Sequence, residues 1–312
     1  MANATVGVGT YAGEAARPYV AAAILSADSI ANGYISVLEN VHSKAVLRKF
    51  SGAAIQANDD CAFSTPGSGQ LTLGEAVLTA SALKVNEQVC NADLRATWES
   101  VQMRGQSSNA PADFSSYVAQ YVAAKVAEGI ELNLWQGNFD ADGSGAGSAA
   151  YTSFDGLCQK LKAGYNAGTM QQLTGATDAT NILTRLADLT AEAPTAIAGD
   201  PEAKIFMSRG SAQLYYQALA ATYQLPFLND GLVARYAGYD IVTPAGMPND
   251  AFILSKKENL YFGTDLLTDH IQAAVLDLTG VTGDDVTRVI MQFSGGTQIV
   301  DAASSGFAYR TS

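Results

Sequence analysis

The sequence predicts an α+β protein, and three features of the chain support that fold class. A long run with helical periodicity lies near the middle, short apolar runs separated by glycine and proline fill residues 203–265, and the tail alternates apolar and polar residues. With 312 residues, of which 48% are hydrophobic, the chain has enough apolar material for a large core.

Composition restricts the classes of function. Only 15% of the residues are charged, whereas a designed soluble surface carries roughly 25–35%, so we expect other subunits to cover much of this surface. The net charge of −12 argues against a protein that binds the phosphate backbone of nucleic acid. It does not argue against a shell that encloses DNA, because such a shell need not bind the phosphates. The 3 cysteines occur without a CxxC motif, which argues against a disulfide framework, and no apolar run reaches the roughly 18 residues of a membrane span.

The N-terminal part of the chain predicts an arm followed by a helix. Residues 1–16 are small and polar and show no periodicity, which is typical of an extended arm. After Pro18, apolar residues recur at helical spacing through residues 19–41, with Gly33 interrupting them, so we predict a helix there.

Residues 44–90 predict a long β-hairpin. The runs KAVLRKF at 44–50 and LKVNEQVC at 83–90 are strand-like, and between them Pro66, Gly67 and Gly69 mark a turn in a polar stretch. The segment carries too little apolar material for a core of its own, and an isolated hairpin is marginal in water. We therefore expect its order to depend on contact with something else.

The strongest local pattern predicts a long helix at 113–136. Asp113 is a suitable N-cap, and Gly137 is a suitable residue to end the helix. Apolar residues recur at every fourth position within it: Val118, Val122, Val126, Ile130 and Leu134. At about 1.5 Å per residue the helix would be about 35 Å long, which indicates a spine across which other elements lie.

The region after this helix predicts a mixed α/β arrangement. Amphipathic helices are predicted at 153–164 and 179–194. A buried strand at 205–207 is followed by a turn and a helix, and short strands separated by glycine and proline follow through residues 231–265.

The tail of the chain predicts closing strands. Residues 273–278 and 288–293 alternate as strands do, and glycines mark turns at 280–285 and at Gly295-Gly296.

The stretch SKKENLYFGTD, Ser255 to Asp265, is close to a processing-protease site used beside affinity tags. Such a site needs glutamine after the phenylalanine, whereas Phe262 is followed by Gly263, and patterned sequence continues beyond it. We therefore interpret the stretch as native. We predict a tight turn between two apolar strands, with a positive φ at Gly263.

No arrangement of residues in the sequence predicts an enzyme active site or a cofactor. His42 and His270 are far apart, and neither belongs to a metal or triad motif. The loop Asn138-Gly143 matches the first half of a calcium-binding loop, but Ala149 stands where the bidentate acid is needed, so a solvated turn is favoured over a calcium site. The 14 tyrosines favour subunit contacts, because tyrosine is enriched at interfaces.

Taken in order, these segments resemble the major capsid proteins of tailed bacteriophages, which have the HK97-type fold. The resemblance covers nearly the whole chain and depends on the order and spacing of the segments. In that family the spine helix commonly ends in a glutamate followed by the pattern (L/I)xxG, here Glu131, Leu134 and Gly137. A late segment of the form N-L-aromatic-x-G-x-D is also common, and here it runs from Asn259 to Asp265.

The resemblance implies an architecture with four parts. Residues 1–45 would be the N-terminal arm and its helix, and residues 46–85 an extended loop. Residues 86–178 with 268–312 would form a peripheral domain holding the spine helix 113–136, and residues 179–267 an axial domain at the capsomer centres. The stretch from Ser255 to Asp265 would return the chain from the axial to the peripheral domain.

The resemblance also implies a function. It implies a structural protein, not an enzyme, that assembles through hexamers and pentamers into an icosahedral shell around the double-stranded DNA of a tailed phage, without cofactor, metal or membrane. The protein would be assembled in the host cytoplasm and reside in the virion, with scaffolding, portal and decoration proteins as further partners. An encapsulin-like nanocompartment shell with protein cargo is the alternative, and an enzyme with an unrecognised site is a third possibility.

The extended loop would lie over a neighbouring subunit. The candidates for contacts between subunits are residues of this loop and two residues at the end of the spine helix: Phe63, Pro66, Leu71, Leu73, Glu131 and Trp135.

Overall fold

A computed structural model describes residues 9–12, 27–51, 72–90, 114–138, 151–164, 171–173, 175–223, 235–265, 272–278 and 283–310. Within these residues the chain forms two six-stranded sheets, a two-stranded hairpin and a set of α-helices. This mixture of helices and strands confirms the α+β prediction.

The first sheet is built around one long strand, β13 (Val286–Ile299). β5 (Ser81–Cys90) pairs along one edge of β13, and β12 (Gln272–Asp277) and β11 (Leu260–Thr264) pair one after the other along the opposite edge. The strands predicted in the tail are therefore confirmed.

Two short strands extend the first sheet. β1 (Gly9–Ala12), from the predicted arm, pairs with β12, and β2 (Ser36–Leu38) pairs with β11. The turn predicted at Gly295-Gly296 is wrong, because β13 runs through both residues. Glycine is needed at 296 for another reason: a Cβ there would lie 2.2 Å from the carbonyl oxygen of Thr79.

The second sheet has the strand order β6-β14-β10-β7-β9-β8. Its members are β6 (Gln171–Leu173), β7 (Ala203–Met207), β8 (Arg235–Tyr236), β9 (Tyr239–Val242), β10 (Ala251–Lys256) and β14 (Gly306–Arg310). The short strands predicted between 203 and 265 are thus confirmed. The domain ranges given above differ from these sheets, because β6 and β14 lie outside 179–267, whereas β11 lies inside that range and joins the first sheet.

Four helices cover the sheets at the positions that the sequence predicts. The spine helix α2 (Phe114–Gln136) and α3 (Leu157–Gly164) pack on the first sheet. On the second sheet lie α4 (Ile182–Ala191) and α5 (Arg209–Tyr223). None of the helices in the described part of the chain is long and apolar enough to cross a membrane.

Strand β10 connects two hydrophobic cores, because its side chains alternate between them. Ile253 belongs to the core that contains the spine helix, whereas Phe252 and Leu254 belong to the core beneath α4 and α5. All three are buried, so the second sheet is covered on both faces here.

The helix predicted at 19–41 is wrong over the part that the structure describes. α1 spans only Asp28–Ala31, and the chain then turns at Gly33, whose φ is +66°. Residues beyond this turn form β2. The apolar spacing misled because it continues from Ile30 to Tyr34 and Leu38, which lie beyond the turn.

The hairpin is confirmed as a feature, but its return strand was wrongly predicted. β3 (Lys44–Ser51) pairs antiparallel with β4 (Thr72–Thr79), and these two strands form a sheet of their own. Residues 83–90, predicted as the return strand, belong to β5 in the first sheet. Only Ala80 separates β4 from β5.

The chain passes from the second sheet to the first through a single 3₁₀ turn, Lys257–Asn259, between β10 and β11. The stretch from Ser255 to Asp265 therefore contains the link between the two sheets. The Asn259 side chain fixes the crossing: it donates to the Asp301 carbonyl (2.8 Å) and to Ser305 Oγ (2.8 Å), and accepts from the Asp301 amide (2.8 Å).

The positive φ predicted at Gly263 is wrong. Gly263 lies within β11, paired with Gly296 and with Leu38, and it is not among the glycines with a positive φ. Glycine is required because a Cβ at this position would lie 2.5 Å from Leu78 Cδ2.

Candidate assembly surface

The hairpin has an inner face that holds it to the body of the protein. Leu78 of β4 is fully buried and packs on Gly263 of β11. At the base of the hairpin, the Thr79 carbonyl lies against Gly296 of β13. The side chain of Lys49 forms an ion pair with Asp301. These contacts fix the base and the inner face against the first sheet.

Beyond the exposed pair Lys44–Thr79 at its base, the outer face of the hairpin carries three cross-strand pairs, defined by the register of β3 and β4. Val46 lies opposite Val77, Arg48 opposite Glu75, and Phe50 opposite Leu73. The Arg48 Nε atom is 3.9 Å from Glu75 Oε1, so a loose ion pair separates two apolar pairs. We call these six residues the outer face.

The apolar side chains of the outer face are exposed to solvent. Relative exposure is 50% for Val46, 73% for Phe50, 49% for Leu73 and 44% for Val77. Among the described residues, the exposed large hydrophobic side chains are these four and Tyr121. Concentration of exposed apolar groups on one face of one element is typical of an interaction site.

The fifth exposed side chain, Tyr121, lies on the rim of a groove between the spine helix and β5. The groove has a volume of about 690 Å³. Its walls include Leu83 and Val85 from β5, Val122 and Val126 from the spine helix, and Phe293 from β13. We call it the spine groove.

Glu131 and Trp135, predicted to contact other subunits, are instead buried inside this one. Their exposures are 3% and 0%. Ser29 donates from its amide to Glu131 Oε2 (3.0 Å) and from its hydroxyl to Glu131 Oε1 (2.6 Å). The Trp135 indole donates to Ser29 Oγ (2.8 Å). Neither side chain is available to a neighbour, so the network joins the N-terminal segment to the spine helix within the subunit.

The C-terminal end of the spine helix is held by close backbone contacts. The helix ends before Gly137, as predicted, but the left-handed residue is Asn138, with a φ of 52°. Glycine is required at 137 because a Cβ there would lie 2.1 Å from the Phe154 carbonyl oxygen.

Asp155 completes this junction. Asn138 Nδ2 donates to Asp155 Oδ1 (2.9 Å), and Lys160 Nζ donates to Asp155 Oδ2 (2.9 Å). The hydrogen bonds from Asn138 and Lys160 stabilise the carboxylate and hold the pKa of Asp155 below its usual value.

The remaining sequence candidates divide into placed and unplaced residues. Leu73 lies on the outer face, whereas Phe63, Pro66 and Leu71 lie outside the described residues. Within the Asn138-Gly143 loop only Asn138 is described, and its amide binds Asp155. In the described ranges no group of three or more His, Cys, Asp or Glu side chains could hold a metal ion.

Sequence reasoning missed Val46, Phe50 and Val77. Both faces of β3 and β4 carry apolar residues, so alternation could not separate the outer face from the inner one. The register of the two strands provides that distinction.

No protein-family model and no curated protein matches this sequence. Solved structures do match the fold. A chain of the satellite phage P4 procapsid including size determination (Sid) protein aligns with a TM-score of 0.62 at 14% identity, covering 95% of this chain and 90% of that chain.

Two further structures agree with this match. A chain from the capsid of the empty GTA particle aligns with a TM-score of 0.57 at 14% identity, covering 92% of this chain and 91% of that chain. A chain from Gordonia phage Cozz aligns with a TM-score of 0.55 at 12% identity, covering 91% and 87%. The chain therefore has the fold found in chains of the P4 procapsid and the GTA capsid, which confirms at the level of the fold its resemblance to tailed-phage major capsid proteins.

Proposed function

We propose that this chain is the major shell protein of a tailed phage, a structural protein that assembles into an icosahedral capsid around double-stranded DNA. The observation that carries the proposal is the exposed outer face of the hairpin, on a fold shared with procapsid and capsid chains. The buried contacts at the base of the hairpin hold the apolar side chains of the outer face in solvent. Such a surface is stabilised when a neighbouring subunit covers it.

Charge and composition support a shell that surrounds DNA without gripping it. The net charge of −12 disfavours tight phosphate binding by the subunit. We propose hexamers and pentamers of the chain as its capsomers, assembly in the host cytoplasm, and residence in the virion. Scaffolding, portal and decoration proteins are the further partners that such a shell would use.

The nanocompartment alternative is not favoured, because the matching particles described above are a procapsid and a capsid. Cargo separates the two functions. A phage shell recovered from its producing cells contains nuclease-protected double-stranded DNA, whereas a nanocompartment contains a folded protein.

The direct test is assembly of the purified chain. We expect electron micrographs to show closed shells or capsomers, and we expect Phe50→Asp to reduce their yield at least about tenfold, as the loss of a central apolar contact does. A monodisperse monomer at high concentration, across salt and pH, would overturn the proposal. Gln217→Glu, at an exposed position of α5, serves as the surface control.

A further inference from the structure

We propose that the ion pair between Lys49 and Asp301 sets the direction in which the hairpin projects from its own subunit, and that assembly needs this direction. The inference rests on the proposed shell function and adds to it two positioning residues, which neither the sequence nor the structural matches assign. Both residues act through the outer face, whose direction they fix, and not by contacting a neighbouring subunit themselves.

The hairpin is attached to the body of the protein at two separate places. The first is its base, where Leu78 packs on Gly263. The second is Lys49, which lies four residues further along β3 than Ala45, the residue opposite Leu78. At about 3.4 Å per residue the two places are about 14 Å apart. A hairpin attached only at its base could pivot there, whereas a second attachment along its length fixes its angle.

The second attachment depends on charge, because a cleft lies beside it where packed side chains could have been. The cleft has a volume of about 280 Å³, and its walls include Lys49, Ile197, Lys256 and Asp301. The residue opposite Lys49 in the ladder is Gly74, which has no side chain to pack there. Among the described residues, the ion pair that joins the hairpin to the body is the one formed by Lys49.

Asp301 is a firmly held partner for the lysine. Its amide donates to Asn259 Oδ1 (2.8 Å), and its carbonyl accepts from Asn259 Nδ2 (2.8 Å). Ser304 Oγ donates to the carboxylate oxygen, Oδ2, that also pairs with Lys49. Because Asn259 belongs to the turn that links the two sheets, the ion pair aligns the hairpin with that link.

The other charges on the walls of the cleft leave this pair intact. Lys256 forms its own ion pair with Asp200, and Glu258 is exposed. The side chain of Asp301 is 17% exposed and that of Lys49 is 34% exposed. Such a partly shielded pair is screened less than one on the open surface, but salt near 1 M, where the Debye length is about 3 Å, should weaken it.

The direction of the hairpin matters for association because the apolar side chains of the outer face are covered together. A surface that is already held in its bound direction loses less conformational freedom on binding than one that pivots. The ion pair therefore favours assembly although it lies on the inner face, away from the contact that it supports.

The first test measures the direction in unassembled subunits. Spin labels are attached at Leu73→Cys on the hairpin and at Glu202→Cys beside β7, both of which are exposed positions. The chain also carries Cys61→Ser and Cys90→Ser, whereas Cys158 is fully buried and can remain. We expect electron–electron resonance to give one narrow distribution of distances, and Lys49→Gln or salt at about 1 M to broaden it.

Arg48→Gln is the matched control for this measurement. It removes a positive charge from the neighbouring position of β3, where the ion pair with Glu75 is loose at 3.9 Å and lies on the outer face. The distribution of distances should stay narrow in this variant. Broadening by Arg48→Gln and Lys49→Gln alike would show that any lost charge loosens the hairpin, which would overturn the inference.

The second test exchanges the two charges and measures assembly. We expect Lys49→Asp and Asp301→Lys each to lower the yield of shells by about three- to tenfold, the loss of a partly shielded charged contact. The double variant restores the pair in reverse and should recover most of the yield. Should Asp301→Lys fail to fold, Lys49→Cys with Asp301→Cys, joined by a short bismaleimide, holds the hairpin without charge and should assemble independently of salt.

The outcomes separate this inference from the proposed function. If Lys49→Gln keeps the narrow distribution, the pair does not set the direction and the inference is overturned. If the distribution broadens but shells form with the wild-type yield, assembly does not need the direction, so the inference fails while the shell function stands. If the wild type itself forms no shells, the proposed function fails, and the distances still decide whether Lys49 orients the hairpin.

Discussion

The side chain of Leu78 lies on the backbone of Gly263, so that a Cβ at position 263 would stand 2.5 Å from Leu78 Cδ2 and 3.2 Å from Val41 Cγ2. The hairpin thus packs on the first sheet at a glycine, where no side chain blocks the approach of Leu78. The same contact buries Leu78 completely and leaves the opposite face of β4 in solvent.

Gly263→Val should destabilise the protein by about 1–3 kcal/mol, because the added methyl groups overpack a filled site. Leu78→Ala should relieve part of this loss, so that the double variant is more stable than the sum of the single changes by about 0.5–3 kcal/mol. Urea unfolding of the four proteins measures this coupling. Additive effects would show that the two residues do not touch.

Gly129→Ala is the matched control, because a Cβ at Gly129 would meet no atom within 4 Å. Gly129 lies in the spine helix, where alanine is favoured over glycine by about 0.5–1 kcal/mol. We expect this variant to gain stability.

Ser29→Ala should destabilise the subunit by about 1–3 kcal/mol, because it leaves the buried Glu131 carboxylate and Trp135 indole with fewer partners. Glu131→Ala should be at least as damaging, since it strands both donors of Ser29. Glu128→Ala, on the same helix but exposed and paired with the exposed Lys125, should change stability by less than about 0.5 kcal/mol. Thermal unfolding compares the three. Equal effects at positions 128 and 131 would contradict the buried network.

Asp155 should make stability fall in acid. Its pKa is lowered in the folded protein, first by the hydrogen bond from Asn138 and then by that from Lys160. A lowered folded pKa means that the stabilisation is present above the ordinary aspartate pKa of about 3.9 and is lost as the pH falls through the folded value. Asp155→Asn should therefore show a flatter dependence of unfolding temperature on pH between about 5 and 2. Asp188→Asn, at an exposed position of α4, is the control for the substitution itself.

Replacing residues 52–71 with Asn-Gly should leave the subunit folded, because Ser51 and Thr72 are already the last pair of the ladder and Asn-Gly favours a tight hairpin turn. If Phe63, Pro66 and Leu71 contact a neighbour, the shortened chain should assemble less well. Unfolding and sedimentation are measured on the same samples. Normal shells would remove these three residues from the candidate contacts. A cut extending to Ala80 would be a poor test, since it deletes the buried Leu78.

The sequence predicts elements whose pattern is local. The spine helix starts at Phe114 and ends at Gln136, within one residue of the prediction, because one apolar stripe and its flanking residues specify it. The helices α3, α4 and α5 could be predicted from local patterns of the same kind.

Features that depend on close packing between segments far apart in the sequence could not be predicted. Gly263 and Gly296 look like turn residues in the sequence, yet both lie inside strands and are required by the hairpin that packs on them. The return strand was misplaced for a related reason. Both 72–79 and 83–90 suit a strand, and only the pairing with β3 or with β13 distinguishes them.

The candidate site was predicted in part. The sequence located the hairpin and one residue of its outer face, Leu73, but assigned Glu131 and Trp135 to an interface. A glutamate at a helix end is usually exposed; here Ser29, more than a hundred positions earlier in the chain, supplies the donors that allow it to be buried.

Because only Ala80 separates β4 from β5, the hairpin and β5 are mechanically connected. β5 pairs with β13 from Ser81 to Cys90, so a pull on the hairpin is passed through Ala80 into β5 and then into β13, the longest strand among the described residues. If a neighbouring subunit binds the hairpin as proposed, the force would act on the first sheet, and the contact of Thr79 with Gly296 would be the fixed point. In the proposed hexamers and pentamers every subunit would carry such a load in its own first sheet, so that tension would be distributed over all copies.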